Sequence, residues 1–206
     1  MATFVEVHPD NPQPRTVGKV VERLREGALV AFPTDSGYAL GGRLDDQAIK
    51  DRIGEIRRLD DKHHYTLLCA DFAQLGQLVH VDNAIFRAVK AATPGPYTFI
   101  LPATKEVPRR LLHAKKKTVG VRIPDHPLSQ ALLAGLGDPM LISTLLLPGE
   151  SRTPTFGWDV KEELDHQVDI VIDAGEVSTE PTTVVDLSSG AAEIARYGAG
   201  DATPFE

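Results

Sequence analysis

Helix-period and strand-period segments alternate along this chain with no linker between them, and that alternation limits the folds open to it. Val17, Val20, Val21 and Leu24 recur at the spacing of one buried helix face, and Gly27 stops the pattern before the unbroken apolar run over 28–32. A second helical face, Ile49, Ile53 and Ile56, can be capped by Asp45 or Asp46 and ends in Arg57-Arg58. Residues 65–69 read as a strand. Short helices are predicted after Asp71 and after Asp82, and Thr93-Pro94-Gly95-Pro96 breaks the chain ahead of a strand over 97–101. Val119, Val121 and Ile123 alternate with Gly120 and Arg122, so this strand buries one face and carries Arg122 on the other. A helix over 127–136 follows. Residues 140–147 are apolar apart from Ser143 and Thr144, and a polar, proline-containing loop over 148–157 leads into a helix reaching about residue 166. Short strands over 170–172, 182–187 and 193–197 complete the pattern. The expectation is one α/β domain over residues 1–206, built on a twisted, mixed sheet with flanking helices.

At 206 residues the chain can bury a core without metals or disulfides. With 42% hydrophobic and 25% charged residues it falls outside the disordered and membrane classes. No apolar run approaches the roughly 20 residues of a spanning helix. The first residues lack the basic and apolar regions of a secretory signal. Cys69 is the only cysteine, which fits a reducing cytosol and a cytoplasmic location, and it reads as a packed small hydrophobe. His63 and His64 have no partners at metal-ligand spacing, so no metal site is expected. A phosphate loop, a dinucleotide fingerprint and a nucleophile elbow are all missing. No nucleophile is paired with a base, so no catalytic side chain is assigned and a hydrolase has nothing to rest on.

The net charge of −7 conceals an uneven distribution. Over 104–122, Lys105, Arg109, Arg110, Lys115, Lys116, Lys117 and Arg122 oppose only Glu106, a local charge of +6. Such an island is either a contact for phosphates or nucleic acid, or a solvated face. Pro33-Thr34-Asp35-Ser36-Gly37-Tyr38 also has two readings. It is a strand end that meets a ligand, or a set of side chains that cap a turn. Other polar residues stand at strand or helix ends: Arg57, Thr98, Arg122, Ser143, Thr144, Thr182, Thr183 and Arg196. Gathered in space, they would offer hydroxyls for hydrogen bonds and guanidinium groups for phosphate or carboxylate.

Taken in order, these landmarks resemble the YrdC and YciO family, whose catalytic members are threonylcarbamoyladenylate synthases of tRNA modification. The resemblance runs through Pro33-Thr34-Asp35-Ser36-Gly37-Tyr38-Ala39-Leu40-Gly41, Pro94-Gly95-Pro96-Tyr97-Thr98-Phe99 and Val121-Arg122-Ile123-Pro124-Asp125-His126-Pro127. Pro181-Thr182-Thr183-Val184-Val185-Asp186 and Ile194-Ala195-Arg196-Tyr197-Gly198 complete it. His8-Pro9-Asp10-Asn11-Pro12 and the run from Thr104 to Leu112 are similar to the YciO branch.

The resemblance implies a YrdC-like domain with a concave, positively charged cavity, associated in the family with ATP and double-stranded RNA. It implies synthase chemistry on threonine, bicarbonate and ATP, with Mg2+ carried mainly on the nucleotide and no tightly bound cofactor. It assigns Arg57, His63, Arg122, Ser143, Thr144, Thr183 and Arg196 to the nucleotide and its phosphates. Thr34, Ser36, Tyr38 and Thr98 fall to the substrate, and Arg109, Arg110, Lys115, Lys116 and Lys117 to double-stranded RNA or tRNA. Two positions depart from the family pattern. Its Lys-x-Arg appears as Arg57-Arg58-Leu59, with Lys62 and Arg58 as spatial substitutes for the lost cation, and its Ser-x-Asn as Thr144-Leu145-Leu146. The expectation is a nucleotide-binding protein with weak or altered activity, and the rival is a non-catalytic RNA-binding protein.

Overall fold

Strands and helices alternate in the computed structural model, which describes residues 1–60 and 62–206. In chain order the strands are β1 (Thr3–Glu6), β2 (Val30–Thr34), β3 (Gly37–Arg43), β4 (Thr66–Leu68), β5 (Tyr97–Pro102), β6 (Thr118–Arg122), β7 (Met140–Thr144), β8 (Ile170–Asp173), β9 (Thr183–Asp186) and β10 (Glu193–Arg196). The helices are α1 (Pro14–Arg25), α2 (Gln47–Arg57), α3 (Phe72–Leu78), α4 (Asn83–Ala92), α5 (Pro127–Leu136) and α6 (Gly157–Leu164). All ten strands join one mixed sheet in the order β1-β8-β2-β3-β7-β4-β6-β5-β9-β10. Asp46, Asp71 and Asp82 cap α2, α3 and α4 through their carboxylates, which settles the choice between Asp45 and Asp46 and starts helices after Asp71 and Asp82 as expected.

Two strands escape the sequence reading. β1 is a half-exposed edge strand of four residues with no run of buried side chains. β3 carries Gly37, Gly41 and Gly42, residues that lower strand propensity, yet it sits between β2 and β7 in the middle of the sheet.

Side chains alternate across the sheet with period two, which sorts them into two layers. Ala31, Leu40, Leu67, Leu141, Val121, Phe99 and Val185 point to one face, where α2, α3, α4 and α6 supply Ile49, Ile53, Leu75, Val89, Val160 and Leu164. Val30, Phe32, Ala39, Met140, Ile142 and Ile172 point to the other, under Val20, Val21 and Leu24 of α1 and Leu128, Leu132 and Leu133 of α5. These two helices cover the strands from β8 to β7 and the Leu68 end of β4. Beyond them, Thr66, Gly120, Thr98 and Val184 lie on the second face without a helix above, and a cavity forms there.

One buried ion pair ties two loops together at the border of that region. Arg122 Nη2 donates to Asp35 Oδ1, and the backbone N–H of Asp125 donates to Asp35 Oδ2 at 3.1 Å. The side chains are 3% and 11% exposed, so the pair is largely dehydrated. The β2–β3 turn is thereby clamped to the segment that leads from β6 into α5. The turn is also tight: Gly37 has φ +96°, and a Cβ there would stand 2.2 Å from Thr153 Oγ1.

Removing one partner of a buried pair leaves an uncompensated charge, at a cost of about 3 to 5 kcal/mol. Asp35→Asn is therefore expected to lower the unfolding free energy in urea by about 3 kcal/mol. A change below about 0.5 kcal/mol would show that the pair is not a structural clamp.

Candidate functional site

The cavity measures about 530 Å³ and is floored by Thr66, Thr98, Ile100, Gly120 and Val184. The C-terminal end of α2 supplies Arg57, the approach to β4 supplies Lys62, His63 and His64, and the end of β7 supplies Ser143 and Thr144. The 148–157 loop contributes Ser151, Arg152 and Thr153, and Thr182, Ala195 and Arg196 close the far side. Four permanent cations and two imidazoles thus face one space. No carboxylate lies among the described residues that line it.

Arg57 and Arg196 are held so that part of each donor set stays open. Arg57 Nη1 donates to Ser143 Oγ at 2.5 Å and Nε to the Leu146 carbonyl at 3.2 Å. Arg196 grips the Thr182 carbonyl with Nε at 3.1 Å and Nη2 at 2.9 Å, and Nη2 also donates to Thr182 Oγ1 at 3.0 Å. Arg57 Nη2 and Arg196 Nη1 have no acceptor among the described residues. Burial pulls the Arg57 pKa below its usual value, and the positive charge of Arg196 pulls it further.

A β-bulge aims Arg196. Ile194 pairs with Val185, but Arg196 rather than Ala195 pairs with Val184, leaving Ala195 as the extra residue. Without the bulge, strict alternation would turn Arg196 to the core face with Ile194.

The histidines are neutral components of this wall. Burial, the charge of Arg57 and neighbouring His64 push His63 down to about 4. Burial also lowers His64, whose ring stacks on His113 at 4.6 Å and whose Nε2 lies 3.5 Å from Thr118 Oγ1.

Of the residues singled out by sequence, the structure brings Arg57, His63, Thr98, Ser143, Thr144 and Arg196 to the cavity, together with Lys62 and Thr182. Arg122 does not line it, because its guanidinium is engaged by Asp35. Thr183 does not either: it shares the core face of Phe99 and Val185, where its hydroxyl donates to Gly200 O at 2.6 Å and accepts from Gly198 N at 3.0 Å. Thr34 and Ser36 are used within their own turn, Thr34 Oγ1 donating to Gly37 O at 2.7 Å and accepting from Ser36 N at 3.2 Å. Tyr38 is a fully buried core residue whose hydroxyl donates to the Ile172 carbonyl at 3.0 Å, and burial beside Asp173 raises its pKa far above the ordinary value.

The basic island lies outside the cavity. Arg109, Lys115, Lys116 and Lys117 are exposed, Arg110 donates to the Leu44 carbonyl, and Lys116 reaches Asp186 at 3.4 Å. Arg58, in left-handed conformation after α2, lines a separate depression, and Leu59 packs on the core. Sequence reasoning missed His64, Ser151, Arg152, Thr153 and Thr179. The polar character of the 148–157 loop directly after the Ser143–Thr144 strand end was the available signal.

A mixed sheet with a cation-lined recess on its uncovered face defines an α/β protein equipped to hold an anionic ligand. The family model described as "Sua5_yciO_yrdC: Telomere recombination" matches residues 22–198, and the chain belongs to this family. It is 48% identical over 205 residues to the uncharacterized protein YciO of Escherichia coli K12, with both chains fully covered. The crystal structure of E. coli YciO superposes with a TM-score of 0.97 over all of both chains. Identity to a threonylcarbamoyl-AMP synthase of Vibrio vulnificus YJ016 is 31% over 157 residues, 75% of this chain and 83% of that one. The crystal structure of P. abyssi Sua5 complexed with L-threonine is 28% identical with a TM-score of 0.87, covering 96% of this chain and 58% of that one.

His63 carries a pH signature. Its folded pKa lies below the ordinary 6.5, so the unfolded chain binds more protons between these values. Its contribution to stability is present above pH 6.5 and is lost as the pH falls through about 4. His63→Gln is expected to flatten the pH dependence of the melting temperature across this window. An unchanged profile would place the His63 titration near its ordinary value.

Proposed function

We propose that this chain binds ATP or an AMP-like nucleotide in the cavity, together with threonine and bicarbonate, and forms threonylcarbamoyl-adenylate weakly with release of pyrophosphate. The observation that carries the reading is the set Arg57, Lys62, Arg152 and Arg196 in a wall with no carboxylate among its described residues, in a chain 31% identical to a threonylcarbamoyl-AMP synthase. Adenylate formation builds negative charge on the departing pyrophosphate, and prepositioned cations stabilise that charge where it develops. The open amino groups of Arg57 and Arg196 are suited to this role. Their fixed hydrogen bonds leave little to reorganise during reaction. Hydroxyls of Ser143, Thr144 and Thr98 orient the remaining polar groups of the ligands, which brings the reacting atoms into proximity. Mg2+ enters as part of the ATP complex, since it keeps most of its waters and binds chiefly through the phosphates of the nucleotide.

Weak turnover follows from two leucines. Leu146 lines the cavity where the family's Ser-x-Asn pattern carries an amide. Leu59 packs on the core and supplies no cation, while Lys62 reaches the cavity in its place. The reading is tested by following pyrophosphate release with ATP, bicarbonate and threonine. Slow release that requires all three and is abolished by Arg57→Ala is the expected result; no release above background would refute synthase activity. Leu146→Asn is expected to raise release about tenfold, equivalent to ~1.4 kcal/mol, with a smaller change in ATP affinity.

The exposed lysines of the basic island favour RNA as a second ligand. They adjoin the cavity through His113, which stacks on His64. Each neutralised phosphate releases a counterion, so affinity for double-stranded RNA is expected to fall with salt by a log-log slope of about 0.7 to 0.9 per contact. Changing Lys115, Lys116 and Lys117 together to Glu lowers both affinity and slope. Binding unaltered by the triple change would leave the island a solvated face.

A further inference from the structure

Thr98 and Thr182 form a hydroxyl pair whose hydrogens outnumber the acceptors that the protein provides. Their Oγ1 atoms lie 2.9 Å apart, and Arg196 Nη2 donates to Thr182 Oγ1 at 3.0 Å. A guanidinium has donors only, so Thr182 accepts in that contact. The two hydroxyls bring two hydrogens, and the bond between them uses one. The other has no acceptor among the described residues. Either hydroxyl can be the donor, and Arg196 favours one direction: its charge polarises the Thr182 O–H into the stronger donor, which favours a bond running from Thr182 to Thr98. In that arrangement the open hydrogen is that of Thr98.

Packing holds the group in this orientation. Thr98 Cγ2 lies over Gly120, where an added Cβ would stand only 3.2 Å from it, and with the methyl there Oγ1 faces Thr182. Both threonines line the cavity, yet Thr98 is only 9% exposed and Thr182 3%. Facing the cavity, that hydrogen is offered to water there and to an oxygen of whatever ligand displaces the water; a ligand group that cannot accept it loses this bond.

We infer that Thr98 is a specificity-determining residue, whose hydroxyl, oriented by Arg196 through Thr182, donates to an anionic oxygen of the ligand and disfavours an ammonium or other donor-only group at that point. The inference rests on the nucleotide-site reading above and adds to it the chemistry of one end of the cavity. Arg196 Nη1 has no acceptor among the described residues, so the same guanidinium that grips Thr182 offers its charge to a ligand in the cavity. A phosphoryl group and a carboxylate both satisfy this geometry.

Calorimetric titration of the full-length protein with ATP, inorganic pyrophosphate and L-threonine distinguishes these sources. Thr98→Val is expected to weaken ATP or pyrophosphate at least tenfold if a phosphoryl oxygen sits there, and threonine by that factor if a carboxylate does. Thr98→Ser, which restores the O–H, is expected to return affinity to within threefold of wild type. A Ser variant as weak as the Val variant would overturn the inference, because the methyl and not the hydrogen would then carry the effect. A Val variant that binds all three probes as wild type does, while Arg57→Ala loses ATP, would overturn the role of Thr98 and leave the nucleotide site standing. Wild-type protein that binds none of the probes would overturn both. Should Thr98→Val fail to fold, Thr98→Ala takes its place with the same expected loss, and unchanged affinity again contradicts the inference.

Discussion

The architecture depends on a shortage of helical cover over one face of a ten-stranded sheet. Period-two alternation gives every strand two faces, and burying both requires helices on each side. Four helices cover the first face with Ile49, Ile53, Leu75, Val89, Val160 and Leu164. Only α1 and α5 lie on the second, and they reach no further than the strands around β7. Where the helices stop, the second face mixes Ile100 and Val184 with Thr66, Thr98, Gly120 and Arg196. The same alternation that builds the core therefore builds the cavity.

Concentrating cations in that recess is unfavourable without an anion. Burial and mutual repulsion lower the Arg57 pKa, and burial lowers that of Arg196. The protein offsets this with dipoles instead of charges: Ser143 Oγ and the Leu146 carbonyl for Arg57, the Thr182 carbonyl and hydroxyl for Arg196. Arg122 is treated in the opposite way. Its charge is matched by Asp35, and it serves to clamp the β2–β3 turn. Arg57 and Arg196 thus share one role and Arg122 has another, and the difference lies in whether a carboxylate is placed within reach.

Much of the fold was legible because its signals are local. The alternation of Val119, Val121 and Ile123 gives the two faces of β6, and Asp45 or Asp46 as a cap and helices after Asp71 and Asp82 are read from type and position alone. β3 was not legible, since its glycines hide a strand that only its neighbours β2 and β7 stabilise. For the site, family resemblance selected Arg57, Ser143, Thr144 and Arg196, whereas pattern alone gave a scatter of strand-end polar residues. What neither could supply is facing. Thr183 differs from Thr182 by one residue and so by one face of the sheet, and Arg196 reaches the cavity only through a bulge. The partnership of Asp35 with Arg122 spans 87 residues, and nothing in either local sequence marks it.

The central claim is that phosphate charge, held by the cavity's arginines, supplies the affinity for a nucleotide. It is tested most directly by titrating the protein calorimetrically with adenosine, AMP, ADP and ATP at two salt concentrations. Affinity that climbs with each added phosphate and weakens with salt is the predicted result. Adenosine binding as tightly as ATP, with no salt dependence, would contradict it.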